Sequence, residues 1–151
     1  MSAASGDFER ALTASGRKEV EAVAEGLFRL DLGVSIIATS PLKRAKETAT
    51  IVAKVLKKEG RVEVWDELKP ESETPALYRR LSKLKQDSSV LVVGHEPLLS
   101  GMVGELVAGT NHTRIALKKA GAAKVELTSS APKPVGELRW LMTPKQLKKL
   151  G

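Results

Sequence analysis

The sequence has no cysteine, which excludes disulfides and thiolate chemistry together and suits a reducing interior. Aromatic residues are scarce: Phe8, Phe28, Trp65, Tyr78 and Trp140 are too few for the stacking platforms that hold single-stranded nucleic acid. No window approaches 18 uninterrupted apolar residues, so no membrane-spanning helix is expected. Met1 is followed by Ser2, Ala3, Ala4, Ser5, Gly6 and Asp7, unlike the basic and then apolar start of a secretory signal. The expected compartment is the cytoplasm, with no membrane partner. With two histidines and no Asp or Glu cluster at ligand spacing, neither a metal nor another cofactor is expected. Walker, GxGxxG and GxSxG signatures are all missing.

What is present fits one soluble globular domain: 151 residues, 42% hydrophobic and 28% charged. The formal charge of +7 is uneven, because residues 112–151 carry nine basic and two acidic side chains while the preceding residues balance at 16 of each. Such a basic quarter suits an acidic or phosphorylated partner, or simply a solvated face. Nucleic acid is the weaker partner class, given the lack of aromatics.

Helical and β-branched segments alternate. Val20, Val23, Ala24 and Leu27 follow the capping candidates Thr13 and Ser15 and predict a helix over 14–30. Val34 to Ala38 predicts a strand covered on both faces; Ser40 and Pro41 read as an N-cap and first helical residue for a helix from 41 to about 58. Arg61 to Trp65 alternates like a half-buried strand, Thr74 and Pro75 repeat the cap-and-proline signal, and Leu77, Leu81 and Leu84 mark a third helix. Val90 to Val93 predicts another doubly buried strand, followed by a turn at 94–97 and a helix over 98–108 that Gly109 terminates. Lys124 to Thr128 and Glu137 to Met142 predict two more strands, and Thr143 and Pro144 open a last basic helix. The whole predicts an α/β fold, a mostly parallel central sheet with helices on both faces. Residues 1–12 offer only Phe8 and Leu12 as large apolar side chains, so no first strand is visible there.

In such sheets ligands bind beyond the carboxyl ends of the strands, where the amino ends of the following helices converge. Two turns carry suitable chemistry. Thr39-Ser40-Pro41-Leu42-Lys43-Arg44 places a guanidinium in a first helical turn, where its planar fork can hold two oxyanion atoms. Alternatively Arg44 is an exposed arginine paired with Glu47 or Asp31. Gly94-His95-Glu96-Pro97 places an imidazole on the same edge, with a glycine allowing close backbone approach, although a histidine there can instead pack under its own loop. Together Arg44 and His95 predict a phosphoryl-sized positive pocket, with Ser40 and Gly94 completing the substrate-binding set. Glu67 is the weaker candidate, as a general acid; His112 reads as a solvated loop residue. Gly101-Met102-Val103-Gly104 has the spacing of a nucleic-acid clamp, but its apolar, mid-helix setting reads as close packing.

Leu12-Thr13…Gly16, Ser40-Pro41-Leu42-Lys43-Arg44-Ala45…Glu47-Thr48-Ala49 and Val90-Leu91-Val92-Val93-Gly94-His95-Glu96-Pro97, taken in order, resemble the histidine phosphatase superfamily. The nearest branch is the SixA-type phosphohistidine phosphatases, which Trp140-Leu141-Met142-Thr143-Pro144…Leu147 also resembles, so the likeness covers about residues 9–150. It implies a metal-free phosphoryl hydrolase in which a histidine accepts the phosphoryl group before water releases it. Arg44 would be the pocket's second arginine and His95 its second histidine, both catalytic. The substrate would be a protein phosphohistidine or a small phosphate ester.

The family's first strand ends in an Arg-His-Gly triplet that supplies the accepting histidine, and this sequence contains no such triplet. The chain as it stands is therefore expected to be inactive, since loss of a nucleophile can cost about a millionfold in turnover. Two readings fit. Either an upstream strand with its triplet belongs to the natural domain, or the chain is a non-catalytic phospholigand-binding module. The first is favoured because Val34–Ala38 and Val90–Val93 read as central strands, and omitting a strand between them would expose unpaired backbone. It predicts that the nucleotide sequence just upstream of Met1 encodes, in frame, a β-branched run ending in Arg-His-Gly.

Overall fold

The computed structural model describes residue 6, residues 8–129 and residues 133–151. Residues 8 and 9 are helical; the remainder of the opening stretch and the centre of the 129–136 connection lie partly outside the described residues. The elements run α1 (Ala14–Arg29), β1 (Ile36–Thr39), α2 (Lys43–Leu56), β2 (Val62–Val64), α3 (Thr74–Ser82), β3 (Val90–Val93), α4 (Leu98–Ala108), β4 (Ala122–Ser129), β5 (Val135–Met142) and α5 (Pro144–Leu150). Short 3₁₀ turns at Glu59–Arg61 and Asp66–Leu68 flank β2.

The strand order β2-β1-β3 makes a three-stranded parallel sheet, in which Ile37 pairs with Val62 and Ile36 to Thr39 pair in step with Val90 to Val93. Alternation along β1 sends Ile36 and Ala38 to one face and Ile37 to the other. Ala38 packs with Trp65, Leu68, Leu77 and Leu98 under α3 and α4, while Ile37 packs with Val34, Ala49 and Ala53 under α2. Helices therefore cover both faces, as the alternation of segments predicts. On the α2 side, α1 adds Val20 and Ala24 against Val52, and its far end holds α5: Leu147 is fully buried against Val23 and Leu27. The approach is close enough that a Cβ on Gly26 would overlap the Leu147 carbonyl, so only glycine fits there.

Several sequence expectations need correction. The α2 helix begins at Lys43 rather than Pro41, because the Ser40 hydroxyl accepts the Leu42 N–H in a turn ahead of the helix instead of capping it. Thr74 is the first helical residue and Glu73 its cap, since the Thr74 hydroxyl donates to Glu105 on α4 at 2.7 Å. Although β3 has the continuous apolar run of a doubly buried strand, each of its residues is only half-buried, because β3 is an edge strand among the described residues. No gap separates 34–38 from 90–93 either: β1 and β3 pair directly, which satisfies the backbone groups between them. Among the described residues the sheet has two open edges, the far sides of β2 and β3, and of these β3 is the apolar one. Beyond the parallel sheet, β4 and β5 form a separate antiparallel pair, longer at both inner ends than predicted, that leaves Leu127, Val135, Leu138 and Leu141 exposed. The α1, α4 and α5 boundaries match expectation, with Thr13 and Thr143 as side-chain caps and Gly109 in the left-handed region at φ 79°.

Tyr78 ties α3 to α4 by donating its hydroxyl to Glu105 at 2.7 Å. Burial, then the bond to Glu105 and its negative charge, pushes the phenol well above its ordinary range. The unfolded chain releases this proton near pH ~10 while the folded chain holds it, so this group's stabilisation is full below about pH 10 and is lost as pH rises beyond it. Tyr78→Phe is expected to cost about 1 kcal/mol at neutral pH. The variant's melting temperature should also fall less steeply between about pH 9 and 11 than wild type's. Parallel thermal melts across that interval check both, and equal slopes would refute the linkage.

Candidate active site

The ladder continues one residue past the carboxyl ends of the strands. Ser40 N–H donates to the Val93 carbonyl at 3.0 Å, and Trp65 N–H donates to the Thr39 carbonyl at 2.8 Å. Three chain segments, beginning at Ser40, Trp65 and Gly94, therefore leave the sheet side by side. Ser40 is fully buried. Its hydroxyl accepts the Leu42 N–H at 3.1 Å and is hydrogen-bonded to His95 Nε2 at 2.7 Å. A hydroxyl has one proton and two lone pairs, so with Leu42 on one lone pair the imidazole Nε2 either accepts a hydrogen bond from the hydroxyl or donates one to the other lone pair, according to its tautomer.

That single bond joins the two turns that the sequence singles out, across 55 positions of chain. Arg44 follows Ser40 by four residues as the second residue of α2, half-buried, its carbonyl accepting the Thr48 hydroxyl at 2.9 Å. Glu47, one of the two partners considered for Arg44, accepts the Leu12 N–H at 2.8 Å and an ion pair from Arg17, clamping the start of α1 onto α2. No side-chain bond caps the amino end of α2 among the described residues, so this edge combines a helix amino terminus, with Arg44 on its first turn, and the His95 imidazole, groups of a kind suited to a tetrahedral oxyanion. His95 is fixed from the other side by α4, whose Leu99 N–H donates to the His95 carbonyl at 3.0 Å. A Cβ on Gly94 would come within 3.3 Å of the Leu99 side chain, so the glycine lets this first turn close against the strand end.

The remaining sequence candidates fall elsewhere or are otherwise engaged. Glu67 lies on the 3₁₀ turn after β2, at the same sheet edge, where its carboxylate accepts from Arg80 at 3.0 Å. His112 is exposed beyond the carboxyl end of α4, the helix that begins just after His95, which separates the two histidines by roughly 15 Å of helix. Gly104 is buried against the 110–113 loop, where a Cβ would lie 2.9 Å from the Thr110 carbonyl, so the glycine spacing of α4 serves packing. Sequence patterning missed the direct Ser40–His95 contact, because a serine before a proline reads first as a helix cap. No helix among the described residues is long and apolar enough to cross a membrane.

The fold is that of the histidine phosphatases, and the chain belongs to the histidine phosphatase superfamily (branch 1), whose family pattern its residues 3–70 match. Within it the chain is SixA-like. The phosphohistidine phosphatase SixA of Escherichia coli K12 is 31% identical over 147 residues, covering 96% of this chain and 88% of that protein. A solved structure of the protein histidine phosphatase SixA complexed with tungstate superposes with a TM-score of 0.83 at 30% identity, covering 93% of this chain and 88% of the other. An uncharacterized protein of Picosynechococcus sp. is 32% identical over 117 residues, covering 76% of this chain and 70% of that protein.

Proposed function

We propose that the edge formed by Ser40, Arg44, Gly94 and His95 grips the phosphoryl group of a protein phosphohistidine, in the cytoplasm, as the binding half of a phosphohistidine phosphatase. The observation that carries this reading is the 2.7 Å bond between Ser40 and His95, which brings the two anion-suited turns to one place. Kinship supports the substrate class: the E. coli relative is a phosphohistidine phosphatase, and the solved relative holds tungstate, a tetrahedral oxyanion shaped like phosphate. Arg44 would hold two phosphoryl oxygens through its fork and His95 would donate from its ring to a third. In the reaction implied by the family, a second imidazole attacks phosphorus while the N–P bond to the substrate histidine breaks. Water then cleaves the new N–P bond and releases inorganic phosphate. This sequence supplies only His95 and His112, at opposite ends of α4. In the family that imidazole belongs to an Arg-His-Gly strand, and the open edge of β3 has the geometry to accept a strand. A second reading, a module that binds phospholigands without hydrolysis, is favoured by the missing triplet alone.

Tungstate titration into the intact chain, followed by the ring signals of His95, tests the site itself. Arg44→Ala and His95→Ala are each expected to weaken binding roughly 10- to 100-fold, the range of one lost charge-assisted contact. Undiminished tungstate binding in both variants would place the anion elsewhere.

A further inference from the structure

We propose that the cleft between β2 and α3 is a docking surface for an acidic protein segment beside the phosphorylated residue; this rests on the phosphoprotein reading above. The cleft, about 420 Å³, is lined by Glu63, Trp65, Glu67, Arg79, Arg80 and Lys83. Its two carboxylates are already engaged. Glu67 pairs with Arg80, whose guanidinium lies 4.7 Å over the Trp65 ring, and Glu63 accepts the Trp65 indole N–H at 2.9 Å. Arg79 and Lys83, four residues apart and exposed, have no acidic partner among the described residues. Residues 76–86 carry Arg79, Arg80, Lys83 and Lys85 with no acid, so the wall of the cleft has a local positive field.

Position joins this field to the site. Trp65, the cleft's floor, donates its backbone N–H to the carbonyl of Thr39, the residue before Ser40. A partner presenting its phosphoryl group to His95 would therefore bring flanking side chains over α3. The C-terminal basic quarter, which composition suggests for this role, is placed less well. Lys148 pairs with Glu19, and Arg139 pairs with Glu126 and Glu137. The α5 helix rests on Gly26, in the half of α1 that leads into the opposite, amino-terminal end of β1.

A fluorescein-labelled deca-aspartate peptide, titrated into the intact chain at low salt with amide shifts recorded in parallel, tests the proposal. Perturbations are expected in residues 76–85, and R79A/K83A should weaken binding about five- to tenfold. K145A/K148A/K149A should leave it within about twofold. Absence of binding to wild type, shifts confined to 112–151, or a larger loss in the triple variant would overturn it. Tighter binding of a ten-nucleotide oligothymidylate through the same residues would also overturn it, by reassigning the cleft to nucleic acid. Tungstate binding, measured on the same samples, should be unchanged in R79A/K83A; its failure in wild type would defeat the phosphatase reading while leaving the peptide result to stand or fall alone.

Discussion

Fusing a short β-branched strand ending in Arg-His-Gly ahead of residue 1 should raise phosphohistidine hydrolysis on the order of a millionfold over the chain without it, the scale on which a cooperating catalytic set loses its nucleophile. The physical basis is the edge of β3. Val90 to Val93 are apolar on both faces, yet each is only half-buried, and β3 pairs on one side alone among the described residues. Parallel sheets are ordinarily covered and flanked, and an open apolar edge is a template for another strand. A strand seated there in parallel would end beside Gly94 and His95, as β1 ends beside them at Ser40. Amide exchange reads the docking independently of chemistry: the protection of Val90 to Val93 should rise. Protection without hydrolysis would leave the binding-module reading standing and sink the catalytic one. No gain in protection would show that the β3 edge is not the acceptor.

Trp65→Ala is expected to cost about 3–5 kcal/mol, a large share of the roughly 5–15 kcal/mol that holds a domain of this size together. Trp65 is fully buried among Ala38, Leu68, Leu77 and Leu98, and it is the side chain on which Arg80 stacks. Its removal leaves a cavity between the sheet and both α3 and α4. Trp65→Phe refills most of that volume and forfeits mainly the indole bond to Glu63, so a loss of about 1–2 kcal/mol is expected. Urea unfolding followed by circular dichroism measures both. An alanine variant within 1 kcal/mol of wild type would contradict this residue's place at the centre of that core.

Much of this molecule is legible in the sequence because its signals are local. The caps Thr13 and Thr143 and the stop at Gly109 act within one helical turn, so they fix α1, α5 and α4 without reference to anything distant. Ser40 and Thr74 mislead because each has the capping chemistry but also a tertiary partner: the Ser40 hydroxyl holds the Leu42 N–H in a turn ahead of the helix while bonding His95, and the Thr74 hydroxyl donates to Glu105. Glu67 similarly looks available until Arg80, thirteen positions later, is folded against it.

Periodicity and turn chemistry therefore determined the order of helices and strands, the parallel sheet covered on both faces and the two turns that carry Arg44 and His95. Only the tertiary structure decided that β3 is an edge strand, that β1 and β3 touch, that Ser40 is the link between the turns and that the uncompensated cations beside the site lie on α3. Burial patterns and caps are properties of neighbouring residues, whereas strand order and hydroxyl partners depend on contacts between segments tens of residues apart, chosen by the packing of the whole chain.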